Sequence, residues 1–346
     1  ENMTEFSSEI ITADTPIPFS AKGLKAYLED ENIKEETTGE VYKSGDKKGQ
    51  EKTKQGQYYG KLINLITRLQ TKIDDKKYGF VFNEDNKLFH IQSKRTSYIL
   101  SVLETGHLIN LYWGRKINSN KINYVVKKRA CGSFLADLDN IDALHLEVIA
   151  QEYPSYGNPD LRSPAIQVKL ANGTTVTDFR YESHEIYRGK KKLEGLPATY
   201  AEKEDEVANL RVILSYTVFE NYDSITRSCK VINDSNDEVD ILRALSANVD
   251  FTHSEFDLIQ LSGSWARERH IVRTALRSGG QCIESRRGAS SHAQNPFIAL
   301  VSKDATEDKG EVYGFNLIYS GNFLASVEVD MHSNARTQIG INPFDF

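Results

Sequence analysis

From Lys87 onward the chain is a succession of short β-branched and aromatic runs separated by Gly, Asn, Asp and Pro. That rhythm limits the fold more than any other feature. "LFHIQ", "TSYILSVL", "AIQVKL", "VILSYTVF", "DSITRSCKVI", "FIALV", "GFNLIYS" and "ASVEVD" suit strands and are short for packed helices. "LANGTTVTDF" sets Asn172-Gly173 between two strand-like runs, a hairpin signal. "VINDSNDEVDILRAL" reads as strand, polar turn, strand. No convincing helical pattern follows residue 150 or so. The expectation is a mainly β protein, with one large antiparallel β-sandwich of roughly 260 residues over 87–346.

The first 86 residues have another texture, rich in Lys and Glu. The run from Glu29 to Gln57 almost lacks large apolar residues and is expected to be a mobile or disordered linker. Two helical patterns flank it. One is "FSAKGLKAYLED", with Ser20 as N-cap. In the other, "YYGKLINLITRLQTKIDD", Leu62, Leu65, Ile66, Leu69 and Ile73 form a stripe suited to packing on a partner surface. Residues 1–86 therefore read as an unrelated or accessory helical segment ahead of the sandwich.

Charge and motif content exclude several classes. The net charge is −6, with 43 basic and 49 acidic residues interspersed, which disfavours a nucleic-acid-coating surface. No run is apolar enough to span a membrane, and no signal peptide is visible. Cys131, Cys229 and Cys282 are too few and too far apart for a disulfide framework or a zinc site, and read as buried reduced thiols of a cytoplasmic protein. GxxxxGK[ST], strand-linked GxGxxG and GxSxG are all missing, and the eight histidines lack metal-ligand spacing. Neither a cofactor nor a metal is expected. The acidic run "AEKEDEVANL" reads as a solvated face.

Four stretches stand out. "EYPSYGNPDLRSPAIQV" combines two Tyr, three Pro and two turn signals, which suits a structural corner or a binding rim. "SGSWARERH" places Trp265, one of only two tryptophans, beside Arg267, Glu268, Arg269 and His270. In a regular strand Trp265, Arg267 and Arg269 would share a face, and the guanidinium groups could stack on the indole. "ESRRGASSHAQNPF" offers Glu284, Arg286, Arg287 and His292 for a polar network, most simply a buried structural one, around the permissive Gly288. The chain ends on the apolar "INPFDF", which reads as a cut rather than a finished terminus.

These stretches, with "HEIYRGKKKLEGLPATYAE" and "GEVYGFNLIYSGNFLASVEVD", carry a nearly continuous resemblance over 87–346 to the N-terminal β-supersandwich domain of bacterial α-galactosidases of glycoside hydrolase family 36. The resemblance implies a parent enzyme that releases terminal α-galactose from sugars such as melibiose and raffinose. It implies that a following (β/α)₈ barrel holds the aspartate nucleophile and the aspartate acid/base of a retaining mechanism, so that this chain has no catalytic residue of its own. It further implies packing against that barrel, a homo-oligomeric parent, and loops that reach the galactose pocket. Trp265 falls on the Trp of a G-[SA]-W-x-R-E-R motif and is the expected sugar-contacting ring. Asp137 or the nearby Asp139, in "CGSFLADLDNIDAL", matches an aspartate that reaches the sugar; Asp137 is the residue chosen. Arg267, Arg269, Arg287 and His292 would form the supporting polar network. Parts of the first 86 residues, such as "YYGKLINLITRLQTKIDDKKYGFVFN", resemble a piece of bacterial P-loop ATP-binding proteins related to DNA translocases, without the P-loop. Two other functions remain open: a stand-alone carbohydrate-binding or assembly module, and a nucleotide-linked regulatory protein.

Overall fold

The structure, a computed structural model, describes residues 37–41, 51–53, 79–118, 122–129, 137–186, 191–192, 197–198, 200–205, 209–219, 221–290 and 293–343. The chain divides into two compact units, Glu1–Lys77 and Tyr78–Phe346. In the first, β1 (Thr37–Val41) pairs with β2 (Glu51–Thr53) in an antiparallel hairpin. Within the run Glu29–Gln57, expected to be mobile, residues 37–41 and 51–53 are thus paired strands, and the remainder of the run lies outside the described residues. Both helical patterns expected before residue 76 lie outside the described residues.

The second unit opens with a four-stranded antiparallel meander. Its strands are β3 (Gly79–Asn83), β4 (Leu88–Gln92), β5 (Thr96–Val102) and β6 (Leu108–Arg115). The first hairpin joins Phe82 to Phe89 and Gly79 to Gln92. A seam at residue 86 would cut this hairpin, so the boundary moves to 77/78. "KKYGFVFN" looked like part of the polar leader because its lysines masked an alternating strand.

The short β7 (Ile166–Lys169) follows. Then come β8 (Arg180–Glu185), the small β9 (Lys191–Lys192) and β10 (Pro197–Ala198) pair, β11 (Tyr200–Asp205), β12 (Leu210–Phe219) and β13 (Ser224–Asn233). A sheet of order β13-β12-β11-β8 lies against the meander. Phe89, Ile91, Tyr98, Leu100, Leu210, Val212 and Leu214 fill the space between them. The alternation seen in "LRVILSYTVF" is thus that of a strand with a well-buried face. The Asn172-Gly173 signal does make a tight turn, closed by Gly173 N–H to Leu170 C=O at 2.8 Å. It does not make a hairpin, because β7 pairs with β14 (Asp240–Phe251) instead.

β14 joins two layered halves. Its first part, Asp240–Ala244, pairs with β7; its second, Leu245–Phe251, pairs with β21 (Ala335–Ile341). Beyond it lie β15 (Phe256–Ser264), β16 (Arg267–Ala275), β17 (Gly279–Ser285), β18 (Gln294–Ser302), β19 (Val312–Asn316) and β20 (Phe323–Val329). These form two further sheets, ordered β17-β20-β21-β14-β7 and β16-β15-β18-β19. Phe256, Leu258, Ile298, Leu300 and Phe315 of one pack on Val249, Ile283, Phe323, Ala325 and Val327 of the other. The expected antiparallel β-sandwich is therefore observed, as two sandwiches sharing a strand. Trp113 on β6 packs against both cores, with ring centroids 5.0 Å from Tyr313 and 5.5 Å from Phe315.

Candidate functional site

One end of the second sandwich gathers three connections. They are the β15–β16 hairpin tip at 265–266, the β17–β18 loop and the β19–β20 loop. Backbone bonds stitch them side by side: Gly263 N–H reaches Ala293 C=O at 3.0 Å, and Ser290 N–H reaches Ser320 C=O at 2.8 Å. Gly288 N–H is accepted by Asn322 Oδ1 at 2.7 Å, and Asn342 donates to Glu284 Oε2 at 3.0 Å. The apolar side chains at this end are not buried. Trp265 is 90% exposed and Ile318 84%, with Tyr319 partly so. The Tyr319 ring lies over Gly321, where any side chain would overlap it.

The hairpin is built to hold Trp265 outward. Ser264 and Arg267 pair, leaving Trp265-Ala266 as a two-residue turn. Ala266 adopts a left-handed φ of 61°, a conformation costing about 1–2 kcal/mol for a residue with a Cβ. Its N–H is held by Glu268 Oε1 at 2.8 Å. Opposite, Gly263 faces a bulge at which Arg269 is also left-handed, at φ 58°. A methyl group on Gly263 would overlap the Arg267 carbonyl oxygen, so only glycine closes the turn.

This geometry corrects the reading of "SGSWARERH" as a regular strand. Trp265 sits in the turn, and the bulge breaks the alternation of Arg267 and Arg269. Arg267, Arg269 and His270 are all exposed. Among the described residues, the guanidinium-over-ring contacts are those of Arg227 on Tyr98 and Tyr216, not of an arginine on Trp265. In the "ESRRGASSHAQNPF" stretch residues 286–289 are exposed and Glu284 is half-buried, so the charges described there do not form a buried network. Arg286 pairs with Glu284 at 3.0 Å, Arg287 is exposed, and His292 lies outside the described residues. Loop residues cannot bury charge where no layer covers them. Nearby, Cys282 is an exposed residue of β17; Cys229, on β13, is half-buried, which corrects the expectation of buried thiols for these two, while Cys131 lies outside the described residues. Partial desolvation of the Cys282 sulfur, reinforced by Glu284, pushes its thiol up to about 11, so it stays protonated at neutral pH.

Asp137 belongs to a different place. It accepts Ala143 N–H at 3.1 Å and meets the buried His145 Nε2 at 3.2 Å. The same loop is tied through Arg129 to His332, and Lys127 to Asn334, on the β20–β21 turn. That turn lies at the opposite end of the strands from Trp265. Seven-residue strands separate the two ends by roughly 20 Å, so one small sugar on one copy of the chain does not touch both. Asp139 is paired with Arg180 at 3.0 Å. The carboxylates near Trp265 are committed as well, Glu268 to Ala266 and Glu284 to Arg286 and Asn342. Among the described residues, no three His, Cys, Asp or Glu side chains could hold a metal ion. None of the described helices is long and apolar enough to cross a membrane.

"EYPSYGNPDLRSPAIQV" resolves as a structural corner. Glu152 accepts the hydroxyls of Tyr98 and Tyr216, each at 2.6 Å, and pairs with Arg227. Asp160 and Arg162 join Asp250 and Arg336 in a second buried cluster. Residue types alone gave no sign that these charges are internal.

With that geometry in view, the comparisons with known proteins are informative. The Glycosyl hydrolase family 36 N-terminal domain matches residues 106–346. The chain belongs to glycosyl hydrolase family 36. It is 47% identical over 277 residues to the alpha-galactosidase AgaA of Geobacillus stearothermophilus, covering 77% of this chain and 38% of that protein. The crystal structure of alpha-galactosidase AgaB from the same organism superposes with a TM-score of 0.72 at 44% identity, covering 78% of this chain and 38% of that one. A variant of AgaA in complex with raffinose superposes with the same score at 45% identity, covering 75% and 38%. The chain thus spans less than two fifths of the length of these relatives.

Proposed function

We propose that this chain acts as the N-terminal domain of an α-galactosidase that hydrolyses terminal α-galactosides of the melibiose and raffinose type. The observation that carries this is the 47% identity to AgaA over 277 residues. In this reading the domain is a scaffold and pocket rim, and a (β/α)₈ barrel, its partner in the full enzyme, supplies the nucleophile and acid/base. Trp265 is the sugar-facing ring: a flat indole suits the C–H face of a sugar, and the nearby arginines offer donors to hydroxyls. The parent is read as a cytoplasmic homo-oligomer, in keeping with thiols rather than a disulfide at Cys229 and Cys282. Residues 1–77 are read as an appended segment of separate origin, with the P-loop-protein resemblance noted above.

A domain exchange tests the proposal. Residues 78–346 replace the matching part of AgaA, and raffinose hydrolysis is followed. The expected result is an active hybrid whose kcat/KM falls on Trp265→Ala, while the isolated chain shows no turnover. A folded but inactive hybrid, or turnover that co-purifies with the isolated chain, would overturn it.

A further inference from the structure

We propose that Glu268 is the positioning residue for Trp265, holding the indole at one fixed projection from the hairpin tip. For its functional meaning this rests on the reading of Trp265 as a sugar-facing ring. Trp265 itself is 90% exposed, so core packing does not fix its direction. Ala266 is left-handed without being Gly or Asn, the residues that accept this conformation readily. A short turn with an unfavourable residue at its hinge would exchange between conformers unless a specific contact selected one. The contact present is the bond from Ala266 N–H to Glu268 Oε1 at 2.8 Å. It closes on the residue that bears the strain, and it comes from the strand that leaves the turn. The bulge at Arg269 and the close approach of Gly263 to Arg267 set the backbone on either side of Glu268. The carboxylate therefore meets the turn from a constrained frame. A charged acceptor makes this bond stronger than a neutral side chain would. Glu268 thus acts on the sugar through the ring's direction, without touching it.

The test needs no sugar. Trp113 and Trp265 are the two tryptophans of the chain, so Trp113→Phe leaves Trp265 as the sole indole emitter. Time-resolved anisotropy then reports ring motion with Glu268 intact, truncated (Glu268→Ala) or replaced by its isostere (Glu268→Gln). In parallel, hydrogen exchange at the Ala266 amide is measured with Trp113 retained, so the result does not depend on how the core tolerates its loss. Glu268→Ala should widen the local motion of the ring and speed Ala266 exchange about tenfold, with the melting temperature nearly unchanged. Glu268→Gln, which keeps the acceptor oxygen, should restore most of both. Unchanged ring motion and exchange in Glu268→Ala overturn the proposal. So does a large fall in melting temperature, which would make Glu268 a general stabiliser, and so does a loss that Gln fails to rescue. If the ring loosens as expected while Trp265→Ala leaves the hybrid's kcat/KM unaltered, the positioning stands and the sugar reading of the ring falls.

Discussion

Arg336 donates from Nη2 to both Asp160 and Asp250, each at 2.7 Å, and none of the three side chains is more than 1% exposed. The residues are far apart in sequence, so the cluster pins the corner before β7, the joining strand β14 and the last strand β21 at one point. Arg162 reinforces it, with Nε 2.9 Å from Asp160. Burial alone would raise the Asp160 pKa; Arg336 and Arg162 outweigh it and hold the carboxyl below its ordinary value. Removing one partner leaves buried charge uncompensated. Arg336→Met should therefore cost about 3–5 kcal/mol. Lys169→Met, which removes an exposed pair with Asp240, should cost less than about 1 kcal/mol. Chemical denaturation of both variants checks the contrast, and comparable losses would show that the cluster is not a keystone.

His90 gives the fold a separate response to acid. Its Nε2 lies 2.8 Å from Ser97 Oγ in the interior of the meander. Burial, then the charge of Lys116, lowers its pKa to about 4. The folded value is thus below the unfolded value of about 6.5. The sign follows: neutral His90 contributes stability in full above pH 6.5, and the contribution fades as pH falls towards 4. Asp178 is held down to about 2, where burial opposes and His107 and Arg180 prevail, so its contribution is lost only at lower pH. His90→Gln should flatten melting temperature against pH between about 6.5 and about 4 and leave the steeper loss at lower pH in place. Parallel curves for the two proteins would refute the assignment.

The sandwich was legible because strand period and turn composition are local signals. "VILSYTVF" and "ASVEVD" show their buried faces in the sequence itself. The ion clusters were not, since Asp250 and Arg336 look like ordinary surface charges until the fold brings them together. The turn at Trp265 was misread for a related reason. Ala266 is no turn-former, and the residue that permits the turn, Gly263, acts from across the hairpin. Asp137 was assigned by resemblance alone, and its place at the far end of the strands follows from contacts made by Lys127 and Arg129 with the β20–β21 turn.

The hairpin's dependence on Gly263 can be measured against a nearby control. A methyl at 263 meets the Arg267 carbonyl, whereas one at Gly280 on β17 meets nothing within 4 Å. Gly263→Ala must shift backbone and should cost about 1–3 kcal/mol. Gly280→Ala should stay within about 0.5 kcal/mol of the parent. Thermal unfolding of the two compares them directly, and a neutral Gly263→Ala would mean that the turn closes in another way.

The two tryptophans should answer truncation in opposite ways. Trp113 packs among Tyr98, Phe251, Tyr313 and Phe315, at the joint between the sandwiches. Its removal opens a cavity that rings from three sheets cannot fill without moving, and Trp113→Ala should cost about 3 kcal/mol or more. Trp265 is 90% exposed and its surroundings are solvent, so Trp265→Ala leaves no cavity and should change stability by less than about 0.5 kcal/mol. A quencher such as acrylamide should accordingly quench the emission of Trp265 more strongly than that of the half-buried Trp113. Equal losses of melting temperature for the two alanine variants would return Trp265 to the core. A stable Trp265→Ala chain would show that the fold does not need the ring, as the proposed role outside its own domain requires.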